Sequence, residues 1–242
     1  MDLGIRGRVA VVMAGSRGLG LAAAEALAAE GARLVVCARG EAPLERAAAS
    51  LRERGAEVCT VVADAADPGT PERLVGMAVD RFGSVDIAVA NAGGPPPGRA
   101  LELAEDQISG ALQANLLASV RLVAASVPHM RRRGWGRICC ITSYTVVQAV
   151  PTLALSNLAR TGLWAWAKTA AHDLSAEGSG VTLNLVCPGR HATERMVALG
   201  GDGTGAGDPA DFGKVVAFLC SAPAGFVNGA AIVVDGGETL AL

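Results

Sequence analysis

Short apolar, β-branched runs alternate with longer stretches rich in Ala, Leu and Glu almost to the end of the chain. The short runs predict strands at Arg8–Met13, Arg33–Ala38, Glu57–Val62, Val85–Ala90, Arg137–Thr142, Val181–Val186 and Ala231–Val234. The stretches between them read as helices over Gly20–Ala29, Ala42–Arg54 and Pro71–Phe82, with two longer ones, Ala104–Arg133 and Pro151–Glu177, further on. Each strand run is continuously apolar rather than alternating, which is the pattern of a strand covered on both faces. Repeated strand–helix–strand units of this kind build an α/β fold in three layers, a seven-stranded parallel sheet between helices. No repeat period or compositional shift divides the chain, so one domain is expected over residues 1–242. Gly94-Pro95-Pro96-Pro97-Gly98 reads as a rigid loop inside it, and Gly200–Gly207, with five glycines in eight positions, as its most flexible segment.

Composition narrows the function classes. With 51% hydrophobic and 18% charged residues, the 242-residue chain fills a sizeable core and lies outside the disordered class. A net charge of −2 gives no footprint for nucleic acid or an anionic membrane. The run Arg131-Arg132-Arg133 before Gly134 reads as cations on a helix's last turn followed by a glycine stop. No apolar stretch approaches the roughly 18 to 20 residues of a membrane span; the longest, 112–130, carries Gln113, Asn115 and Arg121. The apolar run Val9–Ala14 after Arg6 and Arg8 is too short for a signal sequence, so a soluble, unexported, cytoplasmic protein is expected. Six cysteines without a C-x-x-C pair read as buried, reduced thiols. His129, His172 and His191 show no ligand spacing, and no metal is expected.

The first strand runs into Ala14-Gly15-Ser16-Arg17-Gly18-Leu19-Gly20, and a helix pattern follows. A glycine-rich turn there aims backbone N–H groups and the positive end of the helix dipole at a pyrophosphate, which points to a dinucleotide. The second strand ends at Cys37-Ala38-Arg39. A carboxylate in that place would bind a ribose 2′-OH, whereas Arg39 together with Arg17 offers two guanidinium forks to a 2′-phosphate. NADP(H) is therefore expected over NAD(H).

Further motifs follow in order: Ala63-Asp64-Ala65, Ala90-Asn91-Ala92-Gly93, Asn115, Ser143, Cys187-Pro188-Gly189 continuing to Thr193, and Val233-Val234-Asp235-Gly236-Gly237. With the glycine loop, this series resembles the short-chain dehydrogenase/reductase family over nearly the whole chain. The resemblance implies a Rossmann-like fold and a cofactor site built from Gly15 to Gly20, Arg39, Asp64, Ala65, Asn91, Ala92, Gly93, Pro188, Gly189 and Thr193. It implies that Asp64 faces adenine and that Thr193 holds the nicotinamide carboxamide. One departure lies in the first motif, where the family's Thr-Gly is Met13-Ala14.

The family's chemistry rests on Asn, Ser, Tyr and Lys, with Tyr thirteen residues after Ser and Lys four after Tyr. Counted from Ser143, those places hold Ser156 and Arg160, while Asn115 and Ser143 are retained. The single tyrosine, Tyr144, adjoins Ser143 and in an extended chain points to the opposite face. Lys168 follows Ser156 by twelve residues, about 18 Å along a helix. Arginine stays protonated and cannot relay a proton; Arg160 is expected to hold the nicotinamide ribose and Ser156 to act, if at all, through a water. A positioned general acid contributes about 10²–10⁴-fold, and a substrate carrying its own acid beside the ketone supplies the same proton intramolecularly. The pattern resembles a Ser/Arg-substituted branch of the family among aromatic polyketide (angucycline) tailoring enzymes. It implies an NADPH-dependent ketoreductase, a small-molecule aromatic ketone as partner, and a homodimer or homotetramer.

Two other readings stay open: a non-catalytic NADP(H)-binding sensor or partner protein, and a 3-oxoacyl-thioester-type reductase using Ser156 with a water. A substrate lid is implied between Thr193 and Pro209, and Pro95–Pro97, Val146, Val150, Leu153, Met196 and Leu199 are candidates to line an apolar pocket. His191, inside the Pro-Gly-to-Thr loop, is the one histidine that could approach the nicotinamide as a proton donor, and is otherwise expected at the surface.

Overall fold

The computed structural model describes residues 1–241; Leu242, the last residue of the expected domain, lies outside the described residues. Seven parallel strands form one sheet in the order β3-β2-β1-β4-β5-β6-β7. They are β1 Val9–Val12, β2 Arg33–Ala38, β3 Val58–Val62, β4 Ile87–Ala90, β5 Gly136–Ile141, β6 Val181–Pro188 and β7 Ala231–Val234. Successive side chains of a strand leave opposite faces, and the apolar runs fill both. From β1, Val9 and Val11 enter one core with Leu74, Leu122 and Met130, while Ala10 and Val12 enter the other with Leu27, Leu44 and Phe212. The edge strand β3 is covered less than expected, with Val62 48% exposed.

Eight helices accompany the sheet: α1 Gly18–Ala29, α2 Glu41–Glu53, α3 Thr70–Phe82, α4 Glu105–Leu112, α5 Ala118–Arg133, α6 Ala154–Ala176, α7 Glu194–Ala198 and α8 Pro209–Leu219. Helices α1 and α8 pack so closely that a Cβ on Gly213 would lie 2.3 Å from the Ala22 carbonyl oxygen. The helix expected over Ala104–Arg133 is interrupted by a π turn, Gln113–Leu117, between α4 and α5. By length and hydropathy alone, Glu105–Arg133 is long and apolar enough for a membrane span. Its Leu122, Val123, Val127 and Met130 instead face the sheet.

The basic run ending α5 is held as helix-end cations should be. Arg131 pairs with Glu177 at 2.6 Å, and Arg133 reaches Asp86 at 3.2 Å. Asp86, in the connection into β4, also accepts from the Val9 N–H at 2.9 Å and from the Ser84 hydroxyl at 3.0 Å, while Arg8 lies over the Trp135 ring. This polar knot closes the end of the sheet opposite the glycine loop. Five of the six cysteines are buried and Cys59 is half-buried; all are free thiols.

Because β1 is flanked by β2 on one side and β4 on the other, the strand order reverses there. A crevice opens beyond the carboxyl ends of such strands, and that is where ligands of open α/β sheets bind.

Candidate active site

The nucleotide end is built by close backbone approach. A Cβ on Gly15 would stand 2.6 Å from Val36 Cγ1, and one on Gly20 would stand 2.4 Å from the Ala14 oxygen and 2.5 Å from Asn91 Nδ2. Gly18 takes φ +55° and faces the Thr193 methyl. The first turn of α1 has no side-chain cap, so its N–H groups remain available to an anion. Asn91 donates from Nδ2 to the Ala14 oxygen at 3.2 Å, tying the end of β4 to the loop. Asp64 accepts from the Ala66 N–H at 3.0 Å and lies 3.8 Å from Arg39. Arg17 and Arg39 are both largely exposed. This cradle of glycines and uncapped helix, with two exposed guanidinium groups at its rim, fits a phosphorylated dinucleotide. Arg17 is not idle, however: it donates to Glu194 at 2.7 Å, across from the loop to α7.

Ala14 departs from the family pattern at a measurable cost. It is the one non-glycine residue with positive φ among the described residues, at +47°. The left-handed region costs an L residue about 1–2 kcal/mol, partly offset in the unfolded chain when glycine replaces it. Ala14→Gly is therefore expected to raise stability by roughly 0.5–1 kcal/mol, read as a higher Tm by calorimetry; an unchanged or lower Tm would show that the turn is not strained.

The reacting end gathers Asn115, Ser143, Ser156 and Arg160 from three elements. Asn115 sits in the π turn, a feature often found at functional sites. Ser143 follows β5, and its Oγ accepts from the Thr145 N–H at 3.2 Å, which leaves its own O–H free to donate. The buried Ser156 hydroxyl, on the first turn of α6, meets Thr145 Oγ1 at 3.3 Å. One turn later, Arg160 Nη1 donates to the Ile141 oxygen at 3.1 Å and the Thr142 oxygen at 2.6 Å, and Nη2 donates to Asn115 Oδ1 at 3.1 Å. Arg160 thus ties the end of β5 to the π turn. Its buried Nε finds no acceptor among the described residues. Burial first, and the nearby Arg195 second, bring its pKa down to about 10, so it stays charged at neutral pH.

Tyr144 opens a short 3₁₀ turn, Tyr144–Val146, rather than continuing the extended chain; burial first, and the Glu238 carboxylate second, push its phenol above the usual range. Lys168 lies against Gly229, far along α6. His191, expected at the surface, is 6% exposed. It stacks edge-on against Phe212 with ring centroids 5.2 Å apart, and its Nδ1 faces the Gly189 oxygen at 3.2 Å. The strand-like pairing of His191 with Gly207 makes this ring a fastener of the loop.

The segment expected as a lid is short and tethered. Thr193 caps α7, its Oγ1 accepting from the Met196 N–H at 3.4 Å. The glycine-rich segment 200–207, expected to be the most flexible, is folded back: Gly207 donates to the Arg190 oxygen at 2.9 Å, and a Cβ on Gly201 would meet Met196. Of the candidate pocket residues, Val146 belongs to the core and Leu199 is exposed. Gly98, which follows Pro95–Pro97, pairs with Leu153.

Three residues of the site escape sequence reasoning. Thr145 had a signal, since two residues after Ser143 an extended chain returns to the same face. Glu194 and Arg195, next to Thr193, had none.

A family model described as enoyl-(acyl carrier protein) reductase matches residues 13–239. Dehydrogenase/reductase SDR family member 4 of Sus scrofa is 32% identical, with 96% of this chain and 88% of that protein covered. An uncharacterised oxidoreductase of Mycobacterium tuberculosis is also 32% identical, over 96% of this chain and 92% of its own length. Among solved structures, L-sorbose reductase from Gluconobacter frateurii, complexed with NADPH and L-sorbose, superposes with a TM-score of 0.94 at 32% identity, each chain fully covered. Glycine loop, sheet order, motif series and relatives agree: the chain belongs to the short-chain dehydrogenase/reductase family of oxidoreductases.

Proposed function

We propose that the chain is an NADPH-dependent ketoreductase of aromatic polyketide ketones of the angucycline type, in which a hydroxyl of the substrate supplies the proton. The observation that carries this reading is the makeup of the reacting end. Ser156 and Arg160 stand where the family has Tyr and Lys, and the one tyrosine, Tyr144, has its phenol pushed above the usual range by burial first and by Glu238 second. Carbonyl polarisation remains, because Ser143 keeps its O–H free while Thr145 fixes its Oγ. Bound NADPH supplies the hydride; Gly15 to Gly20, Asp64, Ala65, Asn91 to Gly93, Pro188, Gly189 and Thr193 would hold it, and Arg17 and Arg39 its 2′-phosphate. At the two places where the family has its acid and its ammonium, this chain has a serine hydroxyl and a guanidinium. A phenol or enol hydrogen-bonded to the ketone has the high effective molarity of an intramolecular partner.

The exposed Leu158 and the half-buried Trp164 and Trp166 share α6. They support a homodimer or homotetramer packed through that helix, and we place the enzyme in the cytoplasm.

The test is a pair of ketones, one with a free neighbouring phenol and one with that phenol O-methylated. Methylation is expected to lower NADPH oxidation by about 10²–10⁴-fold, far more than Ser156→Ala does. Equal turnover of the two compounds overturns the reading. Strong activity on β-ketoesters that survives at high pH would favour Ser156 acting with a water.

A further inference from the structure

Arg195 is the second residue of the short lid helix α7, and its side chain turns inward. Its guanidinium lies on the backbone of the loop after β4: Nη2 donates to the Pro95 oxygen at 2.5 Å, and a Cβ on Gly94 would stand 2.8 Å from Arg195 Nε. Any side chain at position 94 would push the guanidinium off this seat. The glycine of the Gly93-Gly94-Pro95 turn therefore serves Arg195.

Arg195 is also close enough to Arg160 for the two positive charges to oppose one another. Neither forms an ion pair among the described residues, although Glu194, adjacent to Arg195, is taken by Arg17. Buried charges are ordinarily paired. Arg160 is 7% exposed, charged, and carries an unsatisfied Nε. Two guanidinium groups thus lie near one another, one buried on α6 a turn after Ser156 and one on α7 against the Pro95 oxygen, and each is bonded only to neutral acceptors.

We propose that Arg195, with Arg160 behind it, forms a seat for an anionic oxygen of the substrate: the phenolate left when a substrate phenol gives its proton to the reduced carbonyl. The inference rests on the ketoreductase reading and names the groups that make substrate-assisted proton transfer favourable. As the carbonyl carbon takes up hydride, its oxygen becomes an alkoxide. The phenol O–H bond breaks, a new O–H bond forms at the alkoxide, and the O–H electron pair stays on the phenol oxygen, to be neutralised later by a proton from water. A cation within about 4–6 Å lowers the pKa of an acid by roughly 1–3 units, so Arg195 strengthens the very acid the chain lacks.

The experiment titrates a bound phenol by its colour. The probe is 1-hydroxyanthraquinone, whose absorption moves to longer wavelength on ionisation, bound to protein saturated with NADP⁺. The groups that surround it are Arg195 on α7, Arg160 on α6, Cys187 at the end of β6, and Arg17 with Glu194 at the mouth. Wild type is expected to ionise the bound probe at a lower pH than the free compound. Arg195→Gln is expected to raise that midpoint by about 1–3 units, Arg195→Lys to keep most of the shift, and Gly94→Ala, which keeps the charge but displaces it, to fall between. A probe that titrates alike in wild type and Arg195→Gln, or as if free in wild type, overturns the inference. So does an Arg195→Gln protein that loses NADPH affinity about tenfold with the midpoint unmoved, because the anion served is then the cofactor's. If 1-methoxyanthraquinone is reduced as fast as the hydroxy compound, the ketoreductase reading itself fails. If the hydroxyl is required but Arg195→Gln changes nothing, only the role of Arg195 fails.

Discussion

Ser156→Tyr combined with Arg160→Lys is expected to raise turnover of simple ketones, those without a neighbouring hydroxyl, by roughly 10²–10⁴-fold. The double variant restores a phenol to the first turn of α6, beside Ser143, and a titratable ammonium one turn later on the same face. Ser156 already points at this place, since its hydroxyl meets Thr145, whose N–H is bonded to Ser143. The single variant Ser156→Tyr is expected to gain far less, because Arg160 is fixed on Ile141, Thr142 and Asn115 and, staying protonated, cannot pass a proton to the phenol. Steady-state kinetics on a plain aryl ketone, with circular dichroism to confirm folding, gives the answer. A folded double variant without gain would mean that something other than the missing acid limits simple ketones. Loss of the Arg160 bonds to Ile141, Thr142 and Asn115 is the competing effect. Comparison with Arg160→Lys alone separates it from the gain at position 156.

How much of this is legible in the sequence differs sharply between the two ends of the crevice. The nucleotide end is made of backbone, and backbone demands leave a local trace: glycine where a Cβ would strike Val36 or Ala14, and short apolar strands on either side of it. The parallel sheet follows from the same pattern, because repeated strand–helix–strand units lay neighbouring strands side by side in one direction. The reacting end is made of side chains from distant segments. Ser156 and Arg160 were found by spacing, but what Arg160 holds depends on where the π turn puts Asn115, and an insertion-like turn inside an apolar helix has no compositional mark. Arg195 shows the limit most plainly. Its inward turn is set by Gly94, one hundred and one residues earlier, and nothing local links the two. His191 differs from its expected surface place because the β6–α8 connection buries it against Phe212, a contact that a polar residue between Arg190 and Ala192 does not announce.

Replacing Arg17 and Arg39 together by Ala is expected to lower the preference for NADPH over NADH by about 10²-fold. Each guanidinium would give a 2′-phosphate at least one charge-assisted hydrogen bond, about 1.5–3 kcal/mol. Both side chains are about two-thirds or more exposed, 67% and 72%, so the lower figure applies: together about 3 kcal/mol, or two powers of ten. NADH binding should change little, because the glycine cradle and the α1 N-terminus are untouched. The salt dependence gives an independent check, since screening weakens exposed charge pairs: the KM for NADPH should rise with ionic strength in wild type and less in the double variant. Arg17 must leave Glu194 to reach the phosphate, and an exposed pair of this kind is worth at most about 1 kcal/mol. Glu194→Gln should therefore tighten NADPH by no more than a few-fold while leaving NADH alone. If the double variant discriminated as well as wild type, the 2′-phosphate would have to be held elsewhere, and the Arg17–Glu194 bridge would be only a clasp between the glycine loop and α7.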